Sequence, residues 1–273
     1  TGLIGASLGL AIKQGMPKTA IVVGTDRDRN HSSLAEKMGA VDKVENSLRS
    51  AVEGAQVVIV ATPVTAIREV FEAISPHLQE GCLVTDTGSS KGEVMQWAEE
   101  ILPRNVSFVG GHPMAGKETS GPENADGTMF KGKAYCIIPS PTAAKSAVSS
   151  VTTLAESIGA RPFFIGVDEH DSFVLAISYL PGIASRAAVD AAVRSPVWRD
   201  MQNLKSNPFG KGIPDSFASN LGAPSLADLS TLGVESAGSL LVWIERMESE
   251  LRALRGAVER GVAAGEMIDF QAM

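Results

Sequence analysis

The run Ala55-Gln56-Val57-Val58-Ile59-Val60-Ala61 limits the fold more than any other stretch of the chain. A short, continuous, β-branched run of this kind fits a strand covered on both faces, as in the middle of a parallel sheet. It ends in Thr62 and Pro63, at the carboxyl end of the strand, where ligands of open α/β sheets gather. Comparable runs recur at Thr19 to Asp26, Cys82 to Thr85, Val106 to Val109, Ala134 to Pro139 and Pro162 to Ile165. Between them lie helical patterns at Ala6 to Gly15, Leu34 to Met38, Ile67 to Ile74, Gly92 to Ile101 and Thr142 to Ile158. Strands alternating with helices predict an α/β fold with a doubly wound sheet.

After Gly166 the pattern changes. Asp168 to Ala192 reads as one long helix interrupted at Leu180-Pro181-Gly182, and Leu240 to Val262 as another. The Gly-, Pro-, Ser- and Asn-rich stretch from Ser206 to Ala223 between them reads as a loop. The last helix carries Leu240, Trp243, Ile244, Met247, Leu251 and Leu254 at helical spacing, a core face or a dimer seam. Two domains are expected, residues 1–166 and residues 167–273, sharing one cleft.

A net charge of -7 and a pI near 5.2 give no electrostatic footprint for nucleic acid or an anionic membrane. Anions must be held locally, by loops and helix ends. Cys82 and Cys136 both lie in apolar strand-like runs and read as buried free thiols, which fits a reducing cytosol. With four histidines and two scattered cysteines no metal site is expected. The chain shows no apolar run long enough to span a bilayer and no signal peptide before its first element, and reads as cytoplasmic.

Chemistry is expected at Gly110-Gly111-His112-Pro113-Met114-Ala115-Gly116, followed by Lys117-Glu118. Glycines on both sides let a loop backbone approach a ligand, and His112 is a candidate proton acceptor there; a structural histidine in a turn is the plainer reading. At the start, Gly2-Leu3-Ile4-Gly5 has the spacing of the last two glycines of a G-x-G-x-x-G turn, so a preceding glycine and strand are expected upstream. Asp26 follows about twenty residues later, as a ribose-binding acid should. A carboxylate there favours NAD, whereas Arg27 and Arg29 could accommodate a 2'-phosphate or simply sit on a solvated loop, so NADP stays open. Asp86-Thr87-Gly88-Ser89-Ser90-Lys91 forms a polar, anion-tolerant strand-to-helix junction, or alternatively an ordinary helix cap by Ser89 or Ser90.

Taken together, Gly2-Leu3-Ile4-Gly5, the Asp86 to Lys91 loop, the Gly110 to Gly116 segment and Asp168-Glu169-His170-Asp171 resemble the prephenate/arogenate dehydrogenase family, from the first residue to about Leu180. The resemblance implies a Rossmann domain followed by a mainly α-helical domain that dimerises. It also implies NAD(P)-dependent oxidative decarboxylation of prephenate or arogenate to 4-hydroxyphenylpyruvate or tyrosine, a step of tyrosine biosynthesis. By the same likeness His112 takes the proton of the ring hydroxyl, Ser89 binds near that hydroxyl and the nicotinamide ribose, and Glu118, His170 and Asp171 line or gate the cleft. Gly2, Leu3, Ile4, Gly5, Asp26, Arg27, Thr62, Pro63, Asp86 and Gly88 would surround the cofactor, and Ser89, His112, Gly116, Glu118, Ser178 and Tyr179 the substrate.

The chain departs from the family where the family carries Ser-His-Leu-Pro-His, having Ser178-Tyr179-Leu180-Pro181-Gly182 instead. The family's Phe-Arg-Asp-x-Thr-Arg segment has no counterpart; Pro214 to Ser219 stands roughly there. Substrate recognition is therefore expected to be rewritten, with Arg186, Arg194, Arg199, Lys205 and Lys211 as available cations. A dehydrogenase of a related cyclohexadienyl or β-hydroxyacid substrate, or an inactive NAD-binding metabolite sensor, remain the competing readings.

Overall fold

The alternation of apolar runs and amphipathic stretches becomes, in the computed structural model, an alternation of strands and covering helices. The structure describes residues 1–15, 20–117, 119–180, 183–184, 187 and 234–264. It comprises two compact units, Thr1–Asp171 and Ser172–Met273.

The first unit runs α1 (Leu3–Gly15), β1 (Val23–Gly24), α2 (Arg29–Lys37), β2 (Lys43–Val44), α3 (Leu48–Val52), β3 (Val57–Val60), α4 (Val64–Ile74), β4 (Leu83–Asp86), α5 (Gly92–Ile101), β5 (Ser107–Pro113), β6 (Ala134–Pro139), α6 (Lys145–Ser157) and β7 (Arg161–Phe164), and enters α7 (Val167–Val174). β1 and β2 pair in parallel, and the remaining strands form one sheet in the order β3-β4-β5-β6-β7. All neighbours in that sheet are parallel except β5 and β6, which run antiparallel.

Two hydrophobic clusters lie on opposite faces of this sheet. Leu8, Ala11 and Ile12 of α1 and Val151, Leu154 and Ala155 of α6 cover Leu83, Val109, Tyr135 and Ile137. Ile67, Phe71 and Ile74 of α4 and Val94 and Ala98 of α5 cover Val60, Val84 and Phe108. Alternate strand residues thus feed alternate faces, as a doubly wound sheet requires. The fold class expected from the sequence holds.

Two local expectations are corrected. The Ala55 to Ala61 run was expected to be covered on both faces, yet β3 is an end strand of its sheet among the described residues, and Val57 is 45% exposed. The Gly110 to His112 stretch is not a loop: β5 continues through Pro113, and His112 pairs with Cys136 across the ladder. Its glycines serve the sheet. A Cβ on Gly111 would stand 2.6 Å from the Asp86 carbonyl oxygen and 2.8 Å from the Tyr135 hydroxyl, closer than real Cβ contacts come.

In the second unit α7 continues into a π turn (Leu175–Tyr179), and α8 spans Val234–Ala264. Leu240 and Trp243 of α8 pack on Val174 and Leu175, and the Trp243 indole N–H donates to the Ser172 hydroxyl at 3.2 Å. Leu251 is 55% exposed. Among the described residues no helix is long and apolar enough to cross a membrane.

Candidate active site

The register places Ile59, Thr85 and Val109 level across β3, β4 and β5. The next residues of each strand therefore lead out at one edge: Thr62-Pro63 after β3, Asp86 to Lys91 after β4, and His112 near the end of β5. Residues 2–5 join them through α1. A Cβ on Gly5 would touch the Ala61 side chain at 3.4 Å, so the first turn of α1 lies against the start of the β3 loop.

This turn suits an anionic group. The first hydrogen bond at the start of α1 runs from Ala6 N–H to the Gly2 carbonyl at 2.9 Å, leaving the N–H groups of Leu3, Ile4 and Gly5 without helical acceptors. A Cβ on Gly2 would meet nothing within 4 Å, so the space before the helix is open. Thr62 Oγ1 is buried without a hydrogen-bond partner, the condition of a hydroxyl that waits for a ligand. Asp26 follows β1 and lies beside the turn, its carboxylate accepting the Thr1 hydroxyl at 3.2 Å and the Asp28 N–H at 2.9 Å, while Arg27 is exposed. These residues fit a dinucleotide.

Beneath the β4 loop sits a residue of the expected anion-tolerant junction. Lys91 is fully buried and its ammonium pairs with the buried Asp86 carboxylate. Asp86 also accepts the Gly88 N–H at 2.8 Å and the Gly111 N–H at 3.1 Å. Asp86 therefore ties its own loop to β5, with its oxygens already engaged. Ser89, by contrast, is exposed at the surface of that loop, and Gly116 is exposed beyond β5.

Helix α5 is capped from afar. Neither Ser89 nor Ser90 caps it; the Asp171 carboxylate accepts the Lys91 N–H and the Gly92 N–H, each at 2.8 Å. That carboxylate also accepts from His170 Nδ1 at 2.7 Å, and His170 Nε2 lies 2.9 Å from His112 Nδ1. The two rings meet edge to face, at 73° with centroids 5.2 Å apart. His170 is fully buried, whereas His112 is half-buried.

Burial opposes the charged form of His112, and Lys91 and then His170 add to it, so its pKa is pushed down to about 3 despite Asp171. Burial alone would raise the Asp171 carboxyl, but hydrogen bonds from His170, Gly92 and Lys91 outweigh it and hold it below the usual range. At neutral pH the site thus presents a neutral imidazole on His112 and a carboxylate on Asp171. The sequence showed each of these residues but not their linkage, whose one local signal is the adjacency of His170 and Asp171. For Lys91 the signal was the opposite charge of Asp86 five positions earlier.

Glu118, Arg186, Arg194, Arg199, Lys205, Lys211, the 206–223 loop and the 214–219 segment lie outside the described residues, as do the side chains of Ser178 and Tyr179.

Residues 8–163 match the family model described as Prephenate dehydrogenase, nucleotide-binding domain. The chain is 35% identical over 189 residues to a Bacillus subtilis prephenate dehydrogenase, covering 69% of this chain and 51% of that protein. It is 25% identical over 259 residues to a Zymomonas mobilis cyclohexadienyl dehydrogenase, covering 94% and 86%. It spans about half the length of the B. subtilis relative and of a Lactococcus lactis one. In fold it matches a crystal structure of prephenate dehydrogenase from A. aeolicus in complex with hydroxyphenyl propionate and NAD+, with a TM-score of 0.81, 24% identity and coverage of 96% of this chain and 89% of that one. With a glycine turn before α1, a buried Asp86–Lys91 pair and a linked histidine at one sheet edge, and a family match over more than half its length, the chain belongs to the prephenate dehydrogenase family.

Proposed function

We propose that the chain catalyses NAD(P)-dependent oxidative decarboxylation of prephenate or arogenate, with His112 as the group that takes the proton of the ring hydroxyl. The observation that carries this reading is a neutral imidazole, half-buried at the carboxyl edge of the sheet, whose Nε2 is not engaged in any hydrogen bond among the described residues. A proton acceptor must be unprotonated before it acts, and this one is.

The N–H groups of Leu3, Ile4 and Gly5 would hold the pyrophosphate, Asp26 the ribose hydroxyls, and Thr62 with Pro63 and Gly88 the walls of the cofactor's groove. The nicotinamide supplies the hydride acceptor. As hydride leaves the ring carbon that carries the hydroxyl, His112 takes the hydroxyl proton, and Ser89, exposed on the neighbouring loop, orients that oxygen. Loss of the ring carboxylate as carbon dioxide then aromatises the ring, and its oxygen regains a proton. Asp26 favours NAD, and exposed Arg27 beside it leaves room for NADP. The second unit would recognise the substrate side chain and pair two copies of the chain. The NAD+ complex of the A. aeolicus relative and the activities named for the B. subtilis and Z. mobilis relatives support this assignment.

The test is formation of NADH or NADPH by the protein offered prephenate and arogenate separately with each cofactor. His112→Asn is expected to lower kcat by about two or more orders of magnitude, with NAD affinity unchanged. A variant that turns over normally would remove His112 from the mechanism.

A further inference from the structure

Resting on that reading, we propose that His170 and Asp171 are positioning residues that fix the tautomer of His112, so that Nδ1 carries the ring proton and Nε2 is left bare toward the substrate. The argument is one of donors and acceptors. Asp171 accepts two backbone N–H groups at the start of α5, so its carboxylate is held ionised and in place. An ionised carboxylate has no proton to give, and His170 Nδ1, 2.7 Å away, must donate. A neutral His170 then has only a lone pair at Nε2, and His112 Nδ1, 2.9 Å from it, must be the donor. The proton of a neutral His112 is thereby spent, and Nε2 can only accept.

The reverse polarity needs His170 doubly protonated. It would make His112 Nε2 a donor and end its use as a base. Around His112, Lys91 from the β4–α5 junction disfavours its cation, a positive charge on His170 would add to that, and Asp171 alone favours it. Asp171 reaches His112 through His170, so the same two residues that set the tautomer also receive the charge when the proton arrives.

Nitrogen-labelled histidine decides the matter by NMR, since protonated and bare ring nitrogens give distinct shifts; the chain has four histidines, and the His112→Asn variant identifies the signal. The expected result is His112 protonated at Nδ1 in the wild-type protein. Asp171→Asn keeps a carbonyl to cap α5 but can turn its amide N–H toward His170, inverting the chain of donors. It is expected to move the His112 proton to Nε2 and to lower kcat by about 10²–10⁴-fold with KM nearly unchanged. His170→Phe, which keeps the ring volume and the cap, is expected to lower kcat by about ten- to a hundredfold and to release His112 into a mixture of tautomers. His112 protonated at Nε2 in the wild type, or tautomer and kcat unmoved in both variants, would overturn the proposal. The ring-nitrogen signals are read without substrate, so absent turnover with both substrates would sink the proposed reaction while the tautomer is still decided.

Discussion

At the scale of single residues, the least expected group is Lys91. A lysine with no exposed surface is uncommon, and this one exists because Asp86 meets its ammonium while the Gly88 and Gly111 N–H groups take up the rest of the carboxylate. A buried pair of this kind adds little net stability over an apolar pair, but removing one partner leaves the other charge stranded. Lys91→Met keeps most of the volume and strands Asp86. We expect it to lower unfolding free energy by about 3–5 kcal/mol in urea titrations. Because Lys91 also disfavours protonation of His112, the His112 titration followed by NMR should move upward in the same variant. A titration that stays in place would mean that burial alone keeps the imidazole neutral.

At the scale of elements, β5 carries the site because it is held from three sides: β4, β6 and the Asp86 carboxylate under Gly111. Gly111→Ala would push a methyl against the Asp86 carbonyl and the Tyr135 hydroxyl, both of them parts of a packed sheet. The expected cost is about 1–3 kcal/mol by urea midpoint, with a fall in kcat as His112 shifts. An alanine variant as stable as the wild type would show that β5 can slide. How much of this was legible in the sequence depends on range. The bounds of α5 and β6 follow from the apolar patterns of Gly92 to Ile101 and Ala134 to Pro139, which are local, and the structure keeps both. The glycines before His112 looked like a loop because a loop and a crowded strand both require them. Only the antiparallel pairing of His112 with Cys136, which lies beyond any local window, tells the two apart. The alternative of a serine cap on α5 fails for the same reason: Ser89 and Ser90 stand next to the helix, but Asp171, which caps it, is 80 residues from Lys91.

At the scale of the whole molecule, the site couples stability to protons. His112 has its pKa lowered from 6.5 to about 3 in the folded protein, so the unfolded chain binds a proton first as pH falls. Its contribution is fully present above 6.5 and is lost progressively as pH drops from there toward 3. Asp171 acts in the same direction but lower, because its folded pKa is depressed below the ordinary 3.8: its stabilisation is present above that value and disappears only beneath it. The two windows are therefore separable. Urea midpoints of the wild-type protein should fall as pH is taken from neutrality to about 4.5, and His112→Asn, which has no proton to gain, should flatten that part of the curve. Asp171→Asn should leave the same interval sloping but lie below the wild type throughout it, the gap closing only in more acidic solution. If His112→Asn follows the wild-type slope throughout, the fold leaves the His112 pKa where the unfolded chain has it, and the imidazole at the end of β5 would accept a proton at neutral pH only as an ordinary histidine does.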